Sequence, residues 1–580
     1  MVFCSIAPSV DIPALDVVSF CLGASQMNAK EEAIAYHDLS TEESITFGEL
    51  RKRVDQVGSG LVNRLGIRRG EVVAVFSSNS VNYAPVFFGT IAAGAVCCTV
   101  SSAFREAELD YQLGDCQARA LFVGPAQVPV VQRALQRGML GGIGSRIIVL
   151  GDTSKFIPLA SLLSVAPYEQ RRIGDVEDAR RTLAAIVYSS GTTGLPKGVM
   201  LSHWNLVACT MLSANMFEYL AHKGQQELAA QDPNTGGDGS LNAQGLKTEE
   251  NGDPEAQQRS IAILPFAHIY GLTSLVTNSV AGGKSQYIMS GQFSVNAFLG
   301  AVQKYRIGIV SAVPSIISQI SKHPHLDRFD LSSLRVLGSG AAALPSGIHH
   351  RIRGQIPKSS TTVNGYGMSE TCSGVCAMTS YRLIPGSVGF LYPNTEAKIV
   401  DPTTGRELGA NEQGEFCIRS PTVMMGYLNR PGETRQTIDK DGFLHTGDIA
   451  YIAETGHVFI TDRMKELIKY KGLQVAPAEL ESTLIDHPRV RDAAVIGIHD
   501  KQRNTEVPRA LVVLKDPPAG RPAQLQACQE ISQWLADRVA DHKRLRGGIE
   551  PIDCVPRNLS GKILRRELRT KHNAQAGAKI

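Results

Sequence analysis

The segment YSSGTTGLPKGVMLSH, residues 188–203, combines hydroxyl side chains, glycines and one lysine. Its hydroxyl residues supply hydrogen-bond donors: Ser189, Ser190, Thr192 and Thr193. Gly191 and Gly194 allow consecutive backbone N–H groups to turn toward one anion, as they do in phosphate-binding nests. Lys197 adds a positive charge near the end of the loop. The segment therefore predicts a loop that binds a triphosphate.

The Walker P-loop is another glycine-rich phosphate loop, and this segment does not match it. That motif requires a Gly-Lys pair followed by Ser or Thr. Here Pro196 precedes Lys197, and Gly198 follows it. A Ser/Gly/Thr cluster is also compatible with an ordinary surface loop, so motifs elsewhere in the chain must decide.

The composition is that of a multi-unit globular enzyme. A length of 580 residues allows several compact units, and 43% hydrophobic with 20% charged residues is ordinary for a soluble chain. Because 59 basic residues balance 55 acidic ones, we expect no nucleic-acid surface. The 11 cysteines are scattered without CxxC pairs, which predicts neither a disulfide framework nor a zinc site and favours a reducing compartment.

No segment predicts a secretory leader or a membrane span. No basic region precedes an apolar run at the start of the chain. The most apolar run, residues 84–100, contains Pro85 and is short for a span. It is better interpreted as a buried helix followed by a buried strand.

The alternation of short β-branched runs with helical segments predicts an α/β fold. Residues 71–189 alternate in this way, which indicates βαβ units on a parallel sheet, and a β-rich subdomain follows from about residue 386. We expect a large N-terminal domain over residues 1–461 and a small, mobile α+β domain over residues 462–580. Residues 222–259 are hydrophilic and predict a flexible surface insertion without a catalytic role.

Five further segments decide the interpretation of the phosphate loop. They are PFAHIYGL (265–272), NGYGMSE (364–370), HTGD (445–448), DRMKELIKYKG (462–472) and PRNLSGKILRREL (556–568). Together with the loop, in this order, they resemble the adenylate-forming superfamily of acyl-CoA synthetases, luciferases and peptide-synthetase adenylation domains. The resemblance covers residues 46–568 and is best for the branch similar to 4-coumarate:CoA ligases. It implies a two-domain AMP-binding enzyme.

NGYGMSE resembles the family's adenine and metal segment. The resemblance implies that Tyr366 stacks on adenine, that Asn364 and Gly365 border the nucleotide, and that Ser369 binds phosphate. Ser369 stands where the family usually has Thr, and it keeps the hydroxyl. Glu370 is implied to hold Mg²⁺, because a carboxylate beside a triphosphate requires a divalent cation. Taken alone, Glu370 would be interpreted as a solvated acid.

The resemblance assigns two further charged groups to the nucleotide and one to catalysis. Asp448 is implied to bind the ribose hydroxyls, with Arg463 as its partner, although Gly-Asp pairs also occur in hairpin turns. Lys562 is implied to bridge the substrate carboxylate and the α-phosphate, a role that suits a mobile point charge.

The basic segment between the two domains is implied to serve both half-reactions. Lys465 resembles the hinge residue and an AMP contact, and Lys469 resembles the AMP-contacting lysine of the second step. Lys471 and Gly472 resemble a CoA contact. Without the family pattern these lysines would indicate a solvated surface.

Two segments are implied to form the acyl pocket. His268 resembles the residue that gates the junction of acyl pocket and pantetheine tunnel, and Tyr270 resembles the pocket wall. A lone histidine in such a segment is also compatible with a satisfied core position. Gly340 and Ala341, within GSGAAALP, are implied to form the floor. PFAHIYGL lacks the Asp typical of amino-acid-activating relatives, which argues against an amino-acid substrate.

The predicted function is an ATP-dependent acyl-CoA ligase with Mg²⁺ as cofactor and CoA as cosubstrate. The acid is predicted to be an aryl, medium-chain or polyketide-derived carboxylic acid. Alternatives are an acyl-AMP ligase that loads a carrier protein, a luciferase-type oxygenase and a non-catalytic nucleotide-binding protein of the same fold. Ala578-Lys579-Ile580 resembles a degenerate Ser-Lys-Leu signal, which predicts a peroxisomal import receptor as partner and peroxisomal rather than cytoplasmic localisation.

Overall fold

The structure is a computed structural model. It describes residues 1–23, 29–143, 145–164, 166–189, 195–231, 258–291, 293–341, 344, 346–357, 360–378, 384, 386–464, 466–470, 473–500, 503, 505–557 and 561–577. Within these ranges it forms a mixed α/β fold with a large N-terminal part and a smaller C-terminal part, as the sequence predicts.

The strands of the described residues, in chain order, are β1 (Val2–Cys4), β2 (Ile34–Asp38), β3 (Ser44–Thr46), β4 (Val72–Phe76), β5 (Val96–Val100), β6 (Ala120–Val123), β7 (Ile147–Val149), β8 (Ile157–Pro158), β9 (Leu183–Ser189), β10 (Lys197–Ser202), β11 (Arg259–Ala262), β12 (Ser285–Ile288), β13 (Ile309–Ala312), β14 (Val336–Ser339), β15 (Thr361–Met368), β16 (Ser373–Met378), β17 (Phe390–Leu391), β18 (Glu396–Val400), β19 (Gly414–Arg419), β20 (Gly426–Tyr427), β21 (Leu444–Ile452), β22 (Val458–Arg463), β23 (Ile468–Tyr470), β24 (Leu473–Val475), β25 (Val490–Asp500), β26 (Thr505–Leu514) and β27 (Ile549–Pro551).

The α-helices of the described residues are α1 (Val17–Leu22), α2 (Phe47–Asn63), α3 (Tyr83–Ala92), α4 (Glu106–Asp115), α5 (Val128–Gln136), α6 (Leu159–Leu162), α7 (Val176–Arg181), α8 (His203–Gln231), α9 (Ile269–Gly271), α10 (Asn278–Ala281), α11 (Val295–Tyr305), α12 (Pro314–Ser321), α13 (Ser346–Arg353), α14 (Pro431–Thr437), α15 (Pro477–Asp486), α16 (Arg521–Ala536) and α17 (Arg565–Gly577). A π-helical turn, Leu272–Thr277, joins α9 to α10.

Two large, mostly parallel sheets form the N-terminal part. Their strand orders are β20-β10-β9-β5-β4-β6-β7-β8 and β17-β16-β15-β14-β13-β11-β12-β2-β3. Apolar β-branched runs such as β4 and β5 are almost fully buried, as expected for parallel strands covered on both faces. A five-stranded antiparallel sheet, β1-β18-β19-β21-β22, is the β-rich subdomain that the sequence predicts.

The C-terminal part has its own sheet and core. Strands β25, β26 and β27 pair with each other, and α15 and α16 contribute Leu480, Leu484, Ile531 and Leu535 to a fully buried cluster. Arg565 at the start of α17 holds this part together, because its guanidinium pairs with Glu466 at 2.6 Å and with Glu481 at 2.7 Å. The α+β composition agrees with the prediction, whereas the boundary at residue 462 stays a prediction.

The predicted insertion starts at a lower residue number than the structure allows. The sequence analysis assigned residues 222–259 to a surface loop, but helix α8 continues to Gln231 and strand β11 starts at Arg259. The reason is that QQELAAQ, residues 225–231, consists of good helix formers despite its polarity. The rest of the predicted insertion, residues 232–257, lies outside the described residues.

Candidate active site

A cavity of about 1530 Å³ lies between the two large sheets and the C-terminal part. Most of the residues that the sequence singles out line it: Ser189, Lys197, His268, Tyr270, Gly340, Ala341, Asn364, Gly365, Tyr366, Ser369, Glu370, Asp448, Arg463 and Lys562. Because parallel strands end together at one edge of a sheet, β14 and β15 deliver their last residues to the same opening. The motifs that are far apart in sequence therefore meet at one site.

Seven predicted residues lie outside the described part of the chain, and one described residue, Lys469, does not line the cavity. Ser190, Gly191, Thr192, Thr193, Lys465, Lys471 and Gly472 lie outside the described residues, as does the tripeptide 578–580. Lys469 is described but does not line the cavity. It lies on β23 with an exposed side chain, and its backbone N–H donates to Glu506 at 2.9 Å. Lys562 therefore lines the cavity in this structure, and Lys469 does not.

The phosphate loop is anchored at both ends by strand pairing. Ser189 is the last residue of β9, and Lys197 is the first residue of β10. The two strands are antiparallel, and Ser189 is paired directly with Lys197. The loop therefore starts and finishes at neighbouring points on the cavity wall.

The predicted ribose carboxylate is held by two partners. Asp448 on β21 is paired in register with Arg463 on β22, and the Arg463 Nε lies 3.2 Å from one carboxylate oxygen. The Tyr366 hydroxyl donates to the other oxygen at 2.6 Å. Burial raises the pKa of Asp448, and the Arg463 charge opposes that shift. Each oxygen keeps a further lone pair, so the carboxylate can accept from two hydroxyls.

Glu415 fixes the part of strand β21 that carries Asp448, and the sequence analysis did not identify it. One carboxylate oxygen of Glu415 lies 2.9 Å from His445 Nδ1, and the other accepts from the Gly447 N–H at 3.2 Å. The hydrogen bond between His445 and Glu415 raises the pKa of His445. Glu415, Cys417 and His445 have metal-ligand side chains within reach of each other, but the His445–Glu415 bond accounts for their proximity. An isolated Glu in a strand gives no sequence signal for such a role.

Glu370 is positioned by a strained turn. A 3-10 turn, Ser369–Thr371, follows β15, and the next two residues, Cys372 and Ser373, have φ values of 52° and 89°. Such values are unusual for residues other than glycine and mark a constrained reversal of the chain. The turn places the buried Glu370 carboxylate at the cavity wall, where it accepts from the Tyr427 hydroxyl at 2.9 Å.

Lys197 and Glu370 are linked through Tyr427. The Lys197 ammonium lies 5.0 Å from the Tyr427 ring centroid and forms an ion pair with Glu433. Neither Tyr427 nor Glu433 belongs to a segment that the sequence analysis quoted. A cation, an aromatic ring and two carboxylates thus form one cluster on the cavity wall.

The residues present fit a magnesium ion. Glu370 offers a buried carboxylate with one oxygen engaged by Tyr427, and the hydroxyl residue Ser369 lies beside it on the cavity wall. Mg²⁺ is typically bound by one or two carboxylates together with substrate phosphates, which is the donor set that this corner offers.

Lys562 reaches the site from the C-terminal part. Its neighbour Gly561 has φ +79° and packs so closely that a Cβ there would lie 3.1 Å from Val313. Burial lowers the pKa of Lys562 to about 8, and Arg463 acts in the same direction. The carboxylates of Glu466, Asp448 and Glu370 act in the opposite direction. The ammonium therefore lies within the cluster formed by these charged groups. We name this part of the cavity the nucleotide end, after the role that the sequence predicts for it.

His268 is a neutral hydrogen-bonding group. It caps helix α9, where its Nδ1 accepts from the Tyr270 N–H at 3.3 Å, so the remaining proton is on Nε2. Burial, together with the charge of Lys562, lowers the pKa of His268 to about 4. The side chain lines the cavity, as predicted.

Tyr270 forms one wall of the cavity, at the part that we name the acyl end after the role that the sequence predicts for it. A Cβ on Gly340 would lie 2.8 Å from the Tyr270 ring, so the ring packs directly on this glycine. Burial raises the pKa of Tyr270 to about 12, and a hydrogen bond with Ser311 opposes the shift. Ala341 follows with φ 67°. Beyond this wall the cavity is also lined by Lys284, which belongs to no recognised motif.

Comparison with known families agrees with this geometry. Residues 24–428 match the AMP-binding enzyme family, and residues 479–562 match the AMP-binding enzyme C-terminal domain. The chain belongs to the AMP-binding enzyme family. A probable 4-coumarate–CoA ligase 1 from Dictyostelium discoideum is 34% identical over 579 residues, covering 98% of this chain and 97% of its own. The 4-coumarate-CoA ligase 1 of Narcissus pseudonarcissus is 34% identical, with 99% and 97% covered.

Solved structures of AMP-binding enzymes share the fold. The anthranilate CoA ligase AuaEII, in complex with anthranoyl-AMP, has a TM-score of 0.80 at 24% identity and covers 98% of this chain and 99% of its own. ATP-bound MatB from Rhodopseudomonas palustris has a TM-score of 0.77 at 25% identity, with 96% and 99% covered.

Membership in the AMP-binding enzyme family, together with full-length relatives that are acid–CoA ligases, supports ATP-dependent activation of an acid and its ligation to CoA. The chain is accordingly an acid–thiol ligase of the AMP-forming type. Within the described residues, no helix combines the length and hydropathy that crossing a membrane requires.

Proposed function

We propose that this enzyme joins a carboxylic acid to CoA in two steps that use different arrangements of the C-terminal part. In the first step a carboxylate oxygen attacks the α-phosphorus of ATP, and pyrophosphate leaves. In the second step the CoA thiol attacks the acyl carbon, its proton is lost, and AMP leaves. The observation that supports this most directly is the position of Lys562 beside Asp448 and Glu370 in one cavity.

The position of Lys562 in the cavity supports assigning this arrangement to the first step. Asp448 orients the ribose, and Lys562 stabilises the negative charge that spreads over the carboxylate and the α-phosphate. Ser189 and Lys197 act on the outer phosphates from the two ends of the phosphate loop. Glu370 and Ser369 would hold Mg²⁺, which neutralises phosphate charge when bound.

The second step requires Lys562 to leave. The thiol must approach the acyl carbon, and a site filled by Lys562 and its loop leaves no room for it. We propose rotation of the C-terminal part about Lys465, which brings Lys469 to the AMP and Lys471 and Gly472 to CoA. The exposed position of Lys469 is consistent with this exchange.

The acid is proposed to be an aryl, medium-chain or polyketide-derived acid. The Tyr270 ring packs on Gly340 and, with Ala341, forms a wall against which a planar or extended group can lie. Two of the relatives are named for 4-coumarate, an aromatic acid.

The test is acid-dependent release of pyrophosphate across a panel of carboxylic acids, each with and without CoA. We expect release to require an acid and CoA to be consumed to thioester. Formation of acyl-AMP without use of CoA would instead favour transfer to a carrier protein. No release with any acid would contradict the proposal.

We also propose that the enzyme is peroxisomal, through the tripeptide Ala578-Lys579-Ile580. Its support is the resemblance to a Ser-Lys-Leu signal. A fluorescent fusion with the tripeptide exposed at its end should locate to peroxisomes, and deletion of the three residues should abolish this. A cytoplasmic signal from both fusions would contradict the proposal.

A further inference from the structure

The acyl end of the cavity is deep, and its depth follows from strand register. Four residues that line the cavity form one row across four parallel strands: Ser260, Gln286, Ile309 and Val336. Gly340 lies four residues beyond Val336, toward the nucleotide. Lys284 lies two residues before Gln286, in the opposite direction. At about 3.3 Å per residue, Lys284 is on the order of 20 Å from the level of Gly340.

Lys284 lies at this far end, and no counter-ion for it is found in the part of the chain that the structure describes. Its backbone is fixed, since its N–H donates to the Ser279 carbonyl and its own carbonyl accepts from the Ser279 hydroxyl, both at 2.9 Å. Its side chain is only partly exposed and lines the cavity. Burial lowers the pKa of Lys284 to about 8, and no charge among the described residues contributes to the shift. The ammonium thus remains mostly protonated at neutral pH.

The group next to Lys284 also lacks a complete set of partners. Gln286 is 1% exposed, and its Nε2 donates to the Ser279 hydroxyl at 2.7 Å. Its Oε1 has no hydrogen-bond partner among the described residues. Glu218 on helix α8 lines the same cavity but is exposed, and no ion pair within the described residues joins it to Lys284. The far end therefore presents a cation and an unpartnered amide oxygen, neither of which suits an alkyl terminus.

We propose that the enzyme activates dicarboxylic acids: one carboxylate reacts at the nucleotide end, and the second binds the ammonium of Lys284. This inference rests on the proposed function and names its substrate class. A partly desolvated cation without an anion is unfavourable, and a carboxylate removes that penalty. A terminal hydroxyl would satisfy Gln286 Oε1, but a hydrogen bond between neutral groups contributes less than one to a charged group.

The test compares acids that differ only at the far end. Linear α,ω-diacids from adipate to hexadecanedioate are compared with monocarboxylic and ω-hydroxy acids of equal length, and pyrophosphate release gives kcat/KM. We expect a diacid of suitable length to exceed its monocarboxylic counterpart by about tenfold or more. Equal or greater values for the monocarboxylic or ω-hydroxy acids would overturn the inference.

Lys284→Met tests whether Lys284 recognises the substrate or only supports the fold. The substitution removes the charge and keeps a side chain of similar length. It should lower kcat/KM for the best diacid by about 10- to 100-fold and leave the monocarboxylic acids unchanged or improved. Lys304→Met is the matched control, since Lys304 is exposed, pairs with Glu42 and does not line the cavity. An equal loss with all acids in Lys284→Met would show a structural role and overturn the inference.

Different results would contradict the dicarboxylic substrate class and the proposed ligase function. If the unchanged enzyme releases pyrophosphate with monocarboxylic acids but not with diacids, only the substrate class is wrong. If it releases none with any acid, the proposed function is wrong, and the dicarboxylic inference fails with it.

Discussion

The two ends of the cavity differ in how their charges are compensated. At the nucleotide end, Asp448 is held by Arg463 and Tyr366, Glu370 by Tyr427, and Lys197 is paired with Glu433. At the acyl end, Lys284 has no ion pair within the described residues, and Gln286 keeps an unpartnered oxygen.

This difference reflects what each end binds. ATP is the same in every reaction of the family, so the groups that contact it can be fixed in advance by protein partners, which lowers the cost of reorganisation. The acid varies between relatives, and a group left without a protein partner can discriminate strongly between substrates that do and do not supply one. Interactions within the protein thus preorganise the nucleotide end, whereas at the acyl end Lys284 gains its missing anion from the proposed substrate.

The largest effect is expected at the nucleotide end, for Lys562→Ala. Removal of this ammonium, which lines the cavity and interacts with the carboxylates of Asp448 and Glu370, should lower the rate of acyl-AMP formation by about 100- to 1000-fold. Thioester formation from supplied acyl-AMP should persist, because that step proceeds after Lys562 has left. Single-turnover assays of each half-reaction measure the two rates.

Lys571→Ala is the matched control for that variant, since Lys571 is exposed on helix α17. It should leave both half-reactions unchanged. A comparable loss of both half-reactions in Lys562→Ala would show that the lysine supports the fold rather than the first step.

The difference between the two ends of the cavity also explains which site residues could be predicted from the sequence. The nucleotide residues lie in contiguous motifs at strand ends, so NGYGMSE and HTGD could be located from the sequence before their side chains were seen together. Glu415 and Tyr427 could not, because each is a single residue whose role depends on a neighbour from a distant segment. Lys284 gave no signal either, since a lysine after two glycines is an ordinary turn in sequence.

The fold was predicted with one error, and its cause is local. Alternation of apolar runs correctly indicated the parallel sheets, because burial on both faces requires it. Composition alone placed residues 222–231 in a loop, whereas helix propensity extends α8 to Gln231.

An intermediate effect is expected where the acyl end is narrowed. In Gly340→Ala the new Cβ would lie 2.8 Å from the Tyr270 ring, so the ring must shift into the cavity. We expect kcat/KM for the largest accepted acid to fall by about tenfold and the KM for ATP to stay unchanged. Gly338→Ala is the matched control, because its Cβ would lie 3.5 Å from Val310 and 3.7 Å from the Tyr270 hydroxyl. Equal losses in both variants would contradict the assignment of Tyr270 as the wall.

The smallest effect is expected from pH, and it tests whether the charge of Lys562 is what the first step uses. The pKa of Lys562 is lowered to about 8, so the active ammonium is lost as pH rises through that value. The kcat/KM for ATP, which reports the free enzyme, should fall about fourfold between about pH 7 and pH 8.5. The charges that face Lys562 are Arg463, Glu466, Asp448 and Glu370, with His268 nearby and neutral in this range.

Lys562→Arg provides the control for the pH profile, because a guanidinium stays charged throughout this range. It should lower the absolute rate and remove the alkaline decline. A decline that persists in Lys562→Arg would assign the titration to another group, and the preorganised nucleotide end would then contain a second ionisation that limits the first step. A profile that is flat in both enzymes would contradict the prediction, because kcat/KM reports the enzyme before ATP binds and a lysine with a pKa of about 8 must lose its charge in this range.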